Sequence, residues 1–278
     1  MTTAADVDEF VESVRRGDGV VSVVARVLGE NSPRYARDPD ARHYAASTMK
    51  LPVLVAGLRR AERGELDLDR PVAVRNEFDS QAPGHRFAMD EAEDSDPETW
   101  GALGSDVPLR ELMERMVTVS GNLATNLVLD EVGTAEVAAV LAAAGCSART
   151  SIPRGIEDYP ARDEAGMDNL VTADDLARVM LALAAGDLAG PDASAEAERI
   201  LREQTFRDGI PAGLPDDLVV GNKTGWIDGV NHDVALVRAE GLPPVAIAVL
   251  CSVPGTPEER EAGIARIAGA VWDLVLTS

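Results

Sequence analysis

Short, nearly continuous hydrophobic runs lie near both ends of the chain, a pattern that predicts β-strands. One such run lies at residues 20–28 and is interrupted only by Arg26. The others lie near the C-terminus, separated by glycine-containing turns, at residues 218–227, 232–238 and 245–252. Close spacing of this kind is typical of an antiparallel meander. We expect the N-terminal strand to join that meander, so that both chain ends build one sheet.

Between these runs, hydrophobic positions follow helical spacing. The clearest case ends just before Ser120, with apolar side chains at Leu109, Leu112, Met113, Met116 and Val117. Similar patterns predict helices at residues 7–14, 47–63, 123–132, 135–144, 172–183 and 264–275. The fold class expected is α+β: an antiparallel sheet formed by both termini with flanking helices, plus an all-helical region. We expect an α/β lobe at residues 1–65 and 205–278 and a helical lobe at residues 66–204.

Two segments lack any clear period. Residues 150–170 are rich in Gly, Pro and Asp, which predicts a long surface loop. Within it, Arg154 and Asp168 either pair at the neck of the loop or stay separate as solvated charges. The acidic residues 90–106 predict an insertion at the entrance of the helical region.

Charge excludes several classes of partner. The formal net charge is −22, which repels phosphate backbones and anionic lipid headgroups, so we expect a small-molecule substrate, no nucleic acid and no membrane. Acidic residues near the N-terminus have the wrong charge for a signal peptide, and no apolar run reaches the roughly 18 residues of a membrane span. We therefore expect a cytoplasmic protein. The oligomeric state stays open.

Metal and cofactor chemistry has no candidate ligands in the sequence. Cys146 and Cys251 lack metal-binding spacing, and His43, His85 and His232 form no cluster. We expect no metal and no cofactor, and structural roles for His43 and His232.

Lysine usage points to catalysis. The chain has 26 basic residues, of which only Lys50 and Lys223 are lysines. Arginine keeps its proton under ordinary conditions, whereas lysine can lose it when it is buried or lies beside another cation. Lys50 closes Ser47-Thr48-Met49-Lys50, and Lys223 opens Lys223-Thr224-Gly225. Because a helix places Ser47 and Lys50 on one face, we expect Lys50 to accept the proton of the Ser47 hydroxyl.

Three motifs in order carry a family resemblance. Ser47-x-x-Lys50, Ser120-Gly121-Asn122 and Lys223-Thr224-Gly225 resemble the motifs of the penicillin-recognising serine enzymes, the class A β-lactamases and penicillin-binding proteins. Residues 64–69 and 209–211 are also similar to class A sequence. The resemblance covers most of the chain and implies that residues 1–278 form a single catalytic domain.

The resemblance also implies roles. Ser47 would be the nucleophile that is acylated, and Ser120 would relay a proton to the leaving nitrogen. The oxyanion hole would consist of the backbone N–H groups of Ser47 and Trp226. The implied substrate-binding residues are Asn122 for an amide, Lys223 with Thr224 for a carboxylate, and Gly225 for close approach of the substrate backbone.

The chain departs from the class A pattern at two places. Gly121 stands where class A enzymes usually carry Asp. Glu157 matches the loop glutamate that activates the deacylating water, but Ala161 stands where an asparagine is expected, and Asp158 competes for the same role. Hydrolysis of the acyl-enzyme is therefore less firmly implied than its formation.

Three functions remain open at this point. The first is a β-lactamase-like serine hydrolase that acts on a β-lactam or related amide. The second is a cytoplasmic acyltransferase or esterase of biosynthetic metabolism that uses the same acyl-enzyme. A binding protein without catalysis is the third, and the two retained lysines argue against it.

Overall fold

The computed structural model describes residues 2–277 and contains an antiparallel sheet made by both ends of the chain. The strands are β1 (Val20–Val27), β2 (Tyr35–Arg37), β3 (His43–Tyr44), β4 (Pro71–Ala73), β5 (Phe78–Asp79), β6 (Arg86–Phe87), β7 (Asp106–Pro108), β8 (Leu170–Val171), β9 (Val219–Ile227), β10 (Val230–Arg238) and β11 (Val245–Ser252). Five of them form the main sheet in the order β2-β1-β11-β10-β9, and three strand pairs, β3-β8, β4-β7 and β5-β6, lie outside it. The predicted meander and its N-terminal partner strand are confirmed.

Helices cover both faces of the sheet. They are α1 (Ala4–Val14), α2 (Lys50–Glu62), α3 (Pro97–Gly101), α4 (Leu109–Thr118), α5 (Asn122–Val132), α6 (Thr134–Ala143), α7 (Tyr159–Asp163), α8 (Ala173–Ala184), α9 (Pro191–Arg202) and α10 (Pro257–Thr277). Short 3₁₀ turns lie at Ala46–Met49, Glu91–Glu93 and Ile210–Gly213. The α+β fold class is confirmed, although the sequence pattern missed α3, α7 and α9. Within residues 2–277, no helix has the length and apolar character needed to cross a membrane.

Alternate strand residues enter two hydrophobic cores, because side chains point to opposite faces of a strand. Val23 and Ile247 pack with α1 and α10 on one face. Val24 and Ala248 belong to the other core, which α8 and the helical region complete. Both faces are covered, which explains why these strands are nearly continuous hydrophobic runs.

Helix α2 lies in the middle of the helical region and packs against α5, α6 and α9. Every residue from Lys50 to Leu58 is buried. Since α2 begins at Lys50, the amine of that residue is carried into the interior, at the end of the helix that faces edge strand β9.

The prediction that residues 150–170 form a surface loop is wrong in part. The segment contains α7, and its Arg154 and Asp158 are buried. Arg154 donates to the carbonyl oxygens of Met167 and Gly155 at 2.8 and 3.0 Å, and its Nη2 lies 3.3 Å from Asp168 Oδ1. The ion pair at the neck is therefore present. The sequence pattern missed the buried residues because single polar anchors have no period.

Candidate active site

Ser47 lies in a 3₁₀ turn immediately before α2. The turn spans Ala46–Met49, and the Lys50 N–H donates to the carbonyl oxygen of Ser47. Ala46 has a positive φ of 43°, an uncommon backbone conformation for a residue with a side chain. Ser47 is partly exposed, so a ligand can reach this residue, whereas Lys50 is fully buried.

Ser120 lies between the two lysines. Its Oγ accepts hydrogen bonds from Lys50 Nζ at 3.2 Å and from Lys223 Nζ at 3.0 Å. Its carbonyl oxygen accepts a second, shorter bond from Lys50 Nζ at 2.6 Å. Ser120 adopts a positive φ of 58° where the chain turns from α4 into α5. Two amines converge on one hydroxyl, an arrangement suited to moving a proton.

Burial changes the acidity of both lysines. It holds the pKa of Lys50 well below its usual value, and the neighbouring charge of Lys223 lowers it further, while Asp94 and Asp96 act in the opposite direction. Burial also lowers the pKa of Lys223 to about 7, against the attraction of Asp233. A lysine with a strongly lowered pKa is neutral near neutral pH and can accept a proton.

Asn122 is fixed on both sides of its amide. Its Oδ1 accepts from Lys50 Nζ at 2.7 Å, and its Nδ2 donates to the carbonyl oxygen of Glu93 at 2.9 Å. Its backbone N–H donates to Asp94 Oδ1 at 2.8 Å, and the N–H of Leu123 donates to Asp94 Oδ2 at 2.7 Å. Asp94 therefore satisfies the first N–H groups of α5, which Gly121 has no side chain to cap.

Strand β9 passes close to the nucleophile at Gly225. A Cβ at this position would lie 2.8 Å from the backbone nitrogens of both Ser47 and Thr48. Only glycine permits this approach, which brings β9 beside the N-terminal end of the Ser47 turn. Lys223, two residues earlier on the same strand, also donates to the Thr224 carbonyl oxygen at 2.9 Å.

Glu157 lies beside the acidic segment rather than beside the lysines. Its Oε2 accepts from the Asp90 N–H at 2.9 Å, and its φ is 60°. Burial raises the pKa of its carboxyl group, and the nearby charges of Asp90, Glu93 and Asp94 raise it further. A carboxyl group with a raised pKa is suited to general-base chemistry near neutral pH.

Asp158 has a structural role. One carboxylate oxygen accepts from the Ser80 hydroxyl and from the Ala161 N–H, which caps α7, and the other accepts from the Gln81 N–H at 2.9 Å. Its side chain is fully buried. These bonds tie the loop around α7 to the turn between β5 and β6.

Comparison with known proteins identifies the family. A family model described as the beta-lactamase enzyme family matches residues 3–275. The chain belongs to the beta-lactamase enzyme family. This agrees with the resemblance carried by the three motifs.

Two curated relatives illustrate how much of this β-lactamase family member aligns. A β-lactamase of Amycolatopsis lactamdurans is 31% identical over 170 residues, which are 60% of this chain and 56% of the relative. A β-lactamase of Streptomyces albus G is 28% identical over 204 residues, covering 66% and 62% of the two chains. Both alignments span less than two thirds of the relative.

Solved structures share the fold over nearly the whole length. A β-lactamase from Sphaerobacter thermophilus superposes with a TM-score of 0.83 and 23% identity, covering 100% of this chain and 99% of that one. A structure of PBP-A gives a TM-score of 0.80 at 23% identity, with 98% and 96% covered.

The structure of this β-lactamase family member joins Lys50, Ser120, Asn122 and Lys223 by direct hydrogen bonds and brings Gly225 against Ser47. In the described part of the chain, no hydrogen bond joins the hydroxyl of Ser47 to Lys50, whose amine is engaged by Ser120 and Asn122. The side chains of Thr224 and Trp226 lie apart from this group, on the other face of β9.

Sequence reasoning missed two residues that hold the site. Asp94 lies in the segment treated as an insertion. Asn126 exchanges two hydrogen bonds with the backbone of Ile156, 2.8 Å to its N–H and 2.9 Å to its carbonyl oxygen, and so fixes the residue before Glu157. Asn126 follows Asn122 by one helical turn, and that spacing was the available signal.

His43 of β3 and His232 of β10 lie close together. His43 contacts the hydroxyls of Ser22 and Ser252 at 2.9 and 2.8 Å, and burial lowers its pKa to about 4. His232 bonds the Tyr44 carbonyl oxygen at 3.0 Å, and burial lowers its pKa to about 3. Both are therefore neutral and act as structural links. Residues 2–277 contain no cluster of three or more His, Cys, Asp or Glu side chains able to hold a metal ion.

Proposed function

We propose that this chain is a serine hydrolase that forms an acyl-enzyme at Ser47 and hydrolyses a β-lactam or a related amide. The observation that carries the proposal is the convergence of Lys50 and Lys223 on the hydroxyl of Ser120, beside the turn that presents Ser47. The β-lactamase names of its curated relatives support the same substrate class.

Acylation follows from the properties of these groups. The three acceptors around Lys50 Nζ match its charged form, and the neutral form has only two N–H groups and gives up one of these bonds. Neutral Lys50 then takes the proton of the Ser47 hydroxyl, and the oxygen attacks the substrate carbonyl carbon. The resulting oxyanion would be stabilised by the N–H groups of Ser47 and Trp226, each worth about 3 kcal/mol when well aligned. The proton then passes from Lys50 through Ser120 to the nitrogen that leaves. Lys50 must shift from its bonds with Ser120 and Asn122 to reach Ser47.

Deacylation would use Glu157 to take a proton from water, and the resulting hydroxide attacks the acyl carbon. The bond between that carbon and Ser47 Oγ then breaks, Oγ regains a proton, and the acid product leaves. Asn126 and the Asp90 N–H hold the glutamate in place. Asp158 is the weaker candidate because both its oxygens already accept hydrogen bonds.

One observation keeps acyl transfer as a second candidate. Glu157 accepts a hydrogen bond from the Asp90 N–H. Four residues later, Ala161 has no side-chain amide that could help Glu157 to hold a water molecule. If water is poorly held, the acyl group persists and can pass to another acceptor. The predicted cytoplasmic location, which stays a prediction, would favour a biosynthetic acyl acceptor.

Intact-protein mass spectrometry tests the proposal. Mixing with a penicillin should add one ligand mass, and peptide mapping should place it on Ser47. The Ser47→Ala variant should stay unmodified, while Ser105→Ala, which changes an exposed serine, should react like the parent. Full modification of Ser47→Ala would overturn the mechanism. A parent adduct that decays within seconds supports hydrolysis, and one that persists until an acceptor is added supports transfer.

A further inference from the structure

A cavity of about 290 Å³ lies beside the proposed site, between the end of the sheet and α10. Its wall includes Thr224 and Trp226 of β9, Glu261 of α10, and Phe206 and Asp208 from the segment before β9. The family resemblance implies that Thr224 contacts a substrate carboxylate and that the Trp226 N–H belongs to the oxyanion hole. Neither role accounts for the carboxyl groups of Asp208 and Glu261 in the same wall.

The register of β9 makes this cavity a neighbour of the nucleophile. Successive strand residues point to opposite faces. Lys223 and Gly225 face Ser120 and Ser47, so Thr224 and Trp226 face the side of α10. A substrate held at Gly225 can therefore extend around the edge strand into the cavity.

Thr224 carries an unused polar group into the wall of this cavity. The residue is only 9% exposed, and its Oγ1 is buried with no hydrogen-bond partner within residues 2–277. Buried hydroxyl groups in folded proteins nearly always have a partner, because an unpaired one loses its hydration without compensation. A ligand that enters the cavity would supply the missing partner.

The charge of the cavity is negative. Asp208, Asp233 and Glu261 line it, and no lysine or arginine does. Its one histidine, His232, is neutral because burial lowers its pKa to about 3. The neighbouring Arg260 does not line the cavity. Its guanidinium donates hydrogen bonds to Asn231 Oδ1 at 2.6 Å and to the carbonyl oxygens of Gly255 and Val253.

The carboxyl groups of Asp233 and Glu261 differ in how freely they can bind a ligand. Asp233 accepts from the Ile210 N–H and from Asn222 Nδ2, and burial raises its pKa to about 7, so it is partly neutralised within the fold. The carboxylate of Glu261 has one long contact, 3.5 Å from Asn231 Nδ2, and its pKa is raised by burial and by the charges of Asp208 and Glu258. A positive ligand would relieve that repulsion.

Two aromatic rings complete the wall. Phe206 and Trp226 meet edge to face with their centroids 4.7 Å apart, and Trp226 is 38% exposed. Rings combined with carboxylates are the surroundings that bind alkylated ammonium groups, by cation–π attraction and by charge.

We propose that this cavity, bounded by Thr224, Trp226 and Glu261, binds a positively charged ammonium group of the substrate and so sets specificity. The proposal rests on the proposed function, because it places the ammonium group on the molecule that acylates Ser47. It also gives the Thr224 hydroxyl a different partner on the substrate from the carboxylate that the resemblance implied for Lys223 with Thr224, and leaves anion binding to Lys223 alone.

Binding can be tested without turnover. Choline and its uncharged isostere 3,3-dimethylbutanol are titrated into the Ser47→Ala variant while the indole N–H signal of Trp226 is followed by NMR. Choline should bind more tightly by on the order of tenfold, since the two differ only in charge. Glu261→Gln and Asp208→Asn should each weaken choline binding several-fold. The controls Glu240→Gln and Asp187→Asn remove the same charge from exposed turns and should bind choline like the parent. Equal binding of the two probes would overturn the proposal.

Turnover gives a second readout. Choline and 3,3-dimethylbutyl esters of one carboxylic acid are compared by kcat/KM, and the ratio should favour the choline ester and fall in Glu261→Gln but not in Glu240→Gln. If no ester or lactam acylates Ser47 while choline still binds selectively, the proposed function fails and the cavity assignment stands. If Ser47 is acylated and neither probe nor ester shows a charge preference, the cavity assignment is wrong.

Discussion

A side chain on residue 121 would collide with the carboxylate of Asp96. An ideal Cβ built on Gly121 would lie 2.8 Å from Asp96 Oδ2 and 2.9 Å from Asp96 Cβ. Asp96 is buried, accepts from the Thr99 N–H at 3.2 Å and lies 3.6 Å from Arg115. The acidic segment therefore fills the space that a residue-121 side chain would need, which gives the glycine of the second motif a physical cause.

Gly121→Asp should destabilise the protein. The substitution forces two carboxyl groups into one buried space, which combines overpacking with like-charge repulsion, and we expect a loss of about 1–3 kcal/mol in the free energy of unfolding. Urea denaturation measures it. The matched control is Gly101→Asp, where a Cβ meets no atom within 4 Å.

The double variant Gly121→Asp, Asp96→Gly tests whether the two side chains compete for this space. Asp96→Gly removes both the carboxylate and the Cβ that a residue-121 side chain would meet, so the double variant should be more stable than Gly121→Asp alone. Additive losses from the two changes would show that residues 96 and 121 do not compete for space.

Lys50→Arg should slow acylation by at least about 10² to 10⁴-fold, because arginine keeps the positive charge but cannot act as a base. Single-turnover stopped-flow measurements report the acylation rate directly. Circular dichroism must show that the variant is folded, since the longer side chain enters a fully buried position. A folded variant with the parental rate would disprove the base assignment.

The fold was predictable from the sequence where the signal is periodic. Continuous apolar runs identified the meander, its partner strand and the buried start of α2, because these segments are covered on every side, and helical spacing identified α4. Asp94, Asp96 and Asn126 gave no such signal. Asp94 and Asn126 form hydrogen bonds with segments far along the chain, and Asp96 lies 3.6 Å from Arg115. Only the folded chain brings these partners together. The cavity beside Thr224 was equally invisible, since it depends on packing between β9 and α10.

Glu157→Gln should acylate normally and then accumulate the acyl-enzyme, because the second step loses its base while the first keeps Lys50. Quenched-flow mass spectrometry measures the accumulated fraction. Asp158→Asn is the informative comparison, because the Asp158 carboxylate accepts hydrogen bonds from Ser80, Gln81 and Ala161 and is not free to activate a water molecule.

For Asp158→Asn we expect a loss of stability of about 1.5–3 kcal/mol, the usual contribution of hydrogen bonds to a charged group, with no trapped intermediate in the molecules that remain folded. The opposite pattern, trapping in Asp158→Asn and turnover in Glu157→Gln, would transfer the deacylating role to Asp158.

For an anionic substrate, kcat/KM should pass through an optimum as pH changes, because the two lysines must be in opposite protonation states. Lys50 must be neutral to accept a proton. Burial holds its pKa well below the usual value, so Lys50 stays neutral at pH values where an ordinary lysine is charged, and the rate should decrease only as pH falls through that lowered pKa. Lys223 has a pKa of about 7, and if its positive charge binds the substrate, kcat/KM should decrease as pH rises through that value.

The measurement is kcat/KM for an anionic and an uncharged substrate across the neutral range. The alkaline decrease should appear for the anionic substrate and be absent for the uncharged one. An identical decrease for both would mean that Lys223 moves a proton rather than binds an anion.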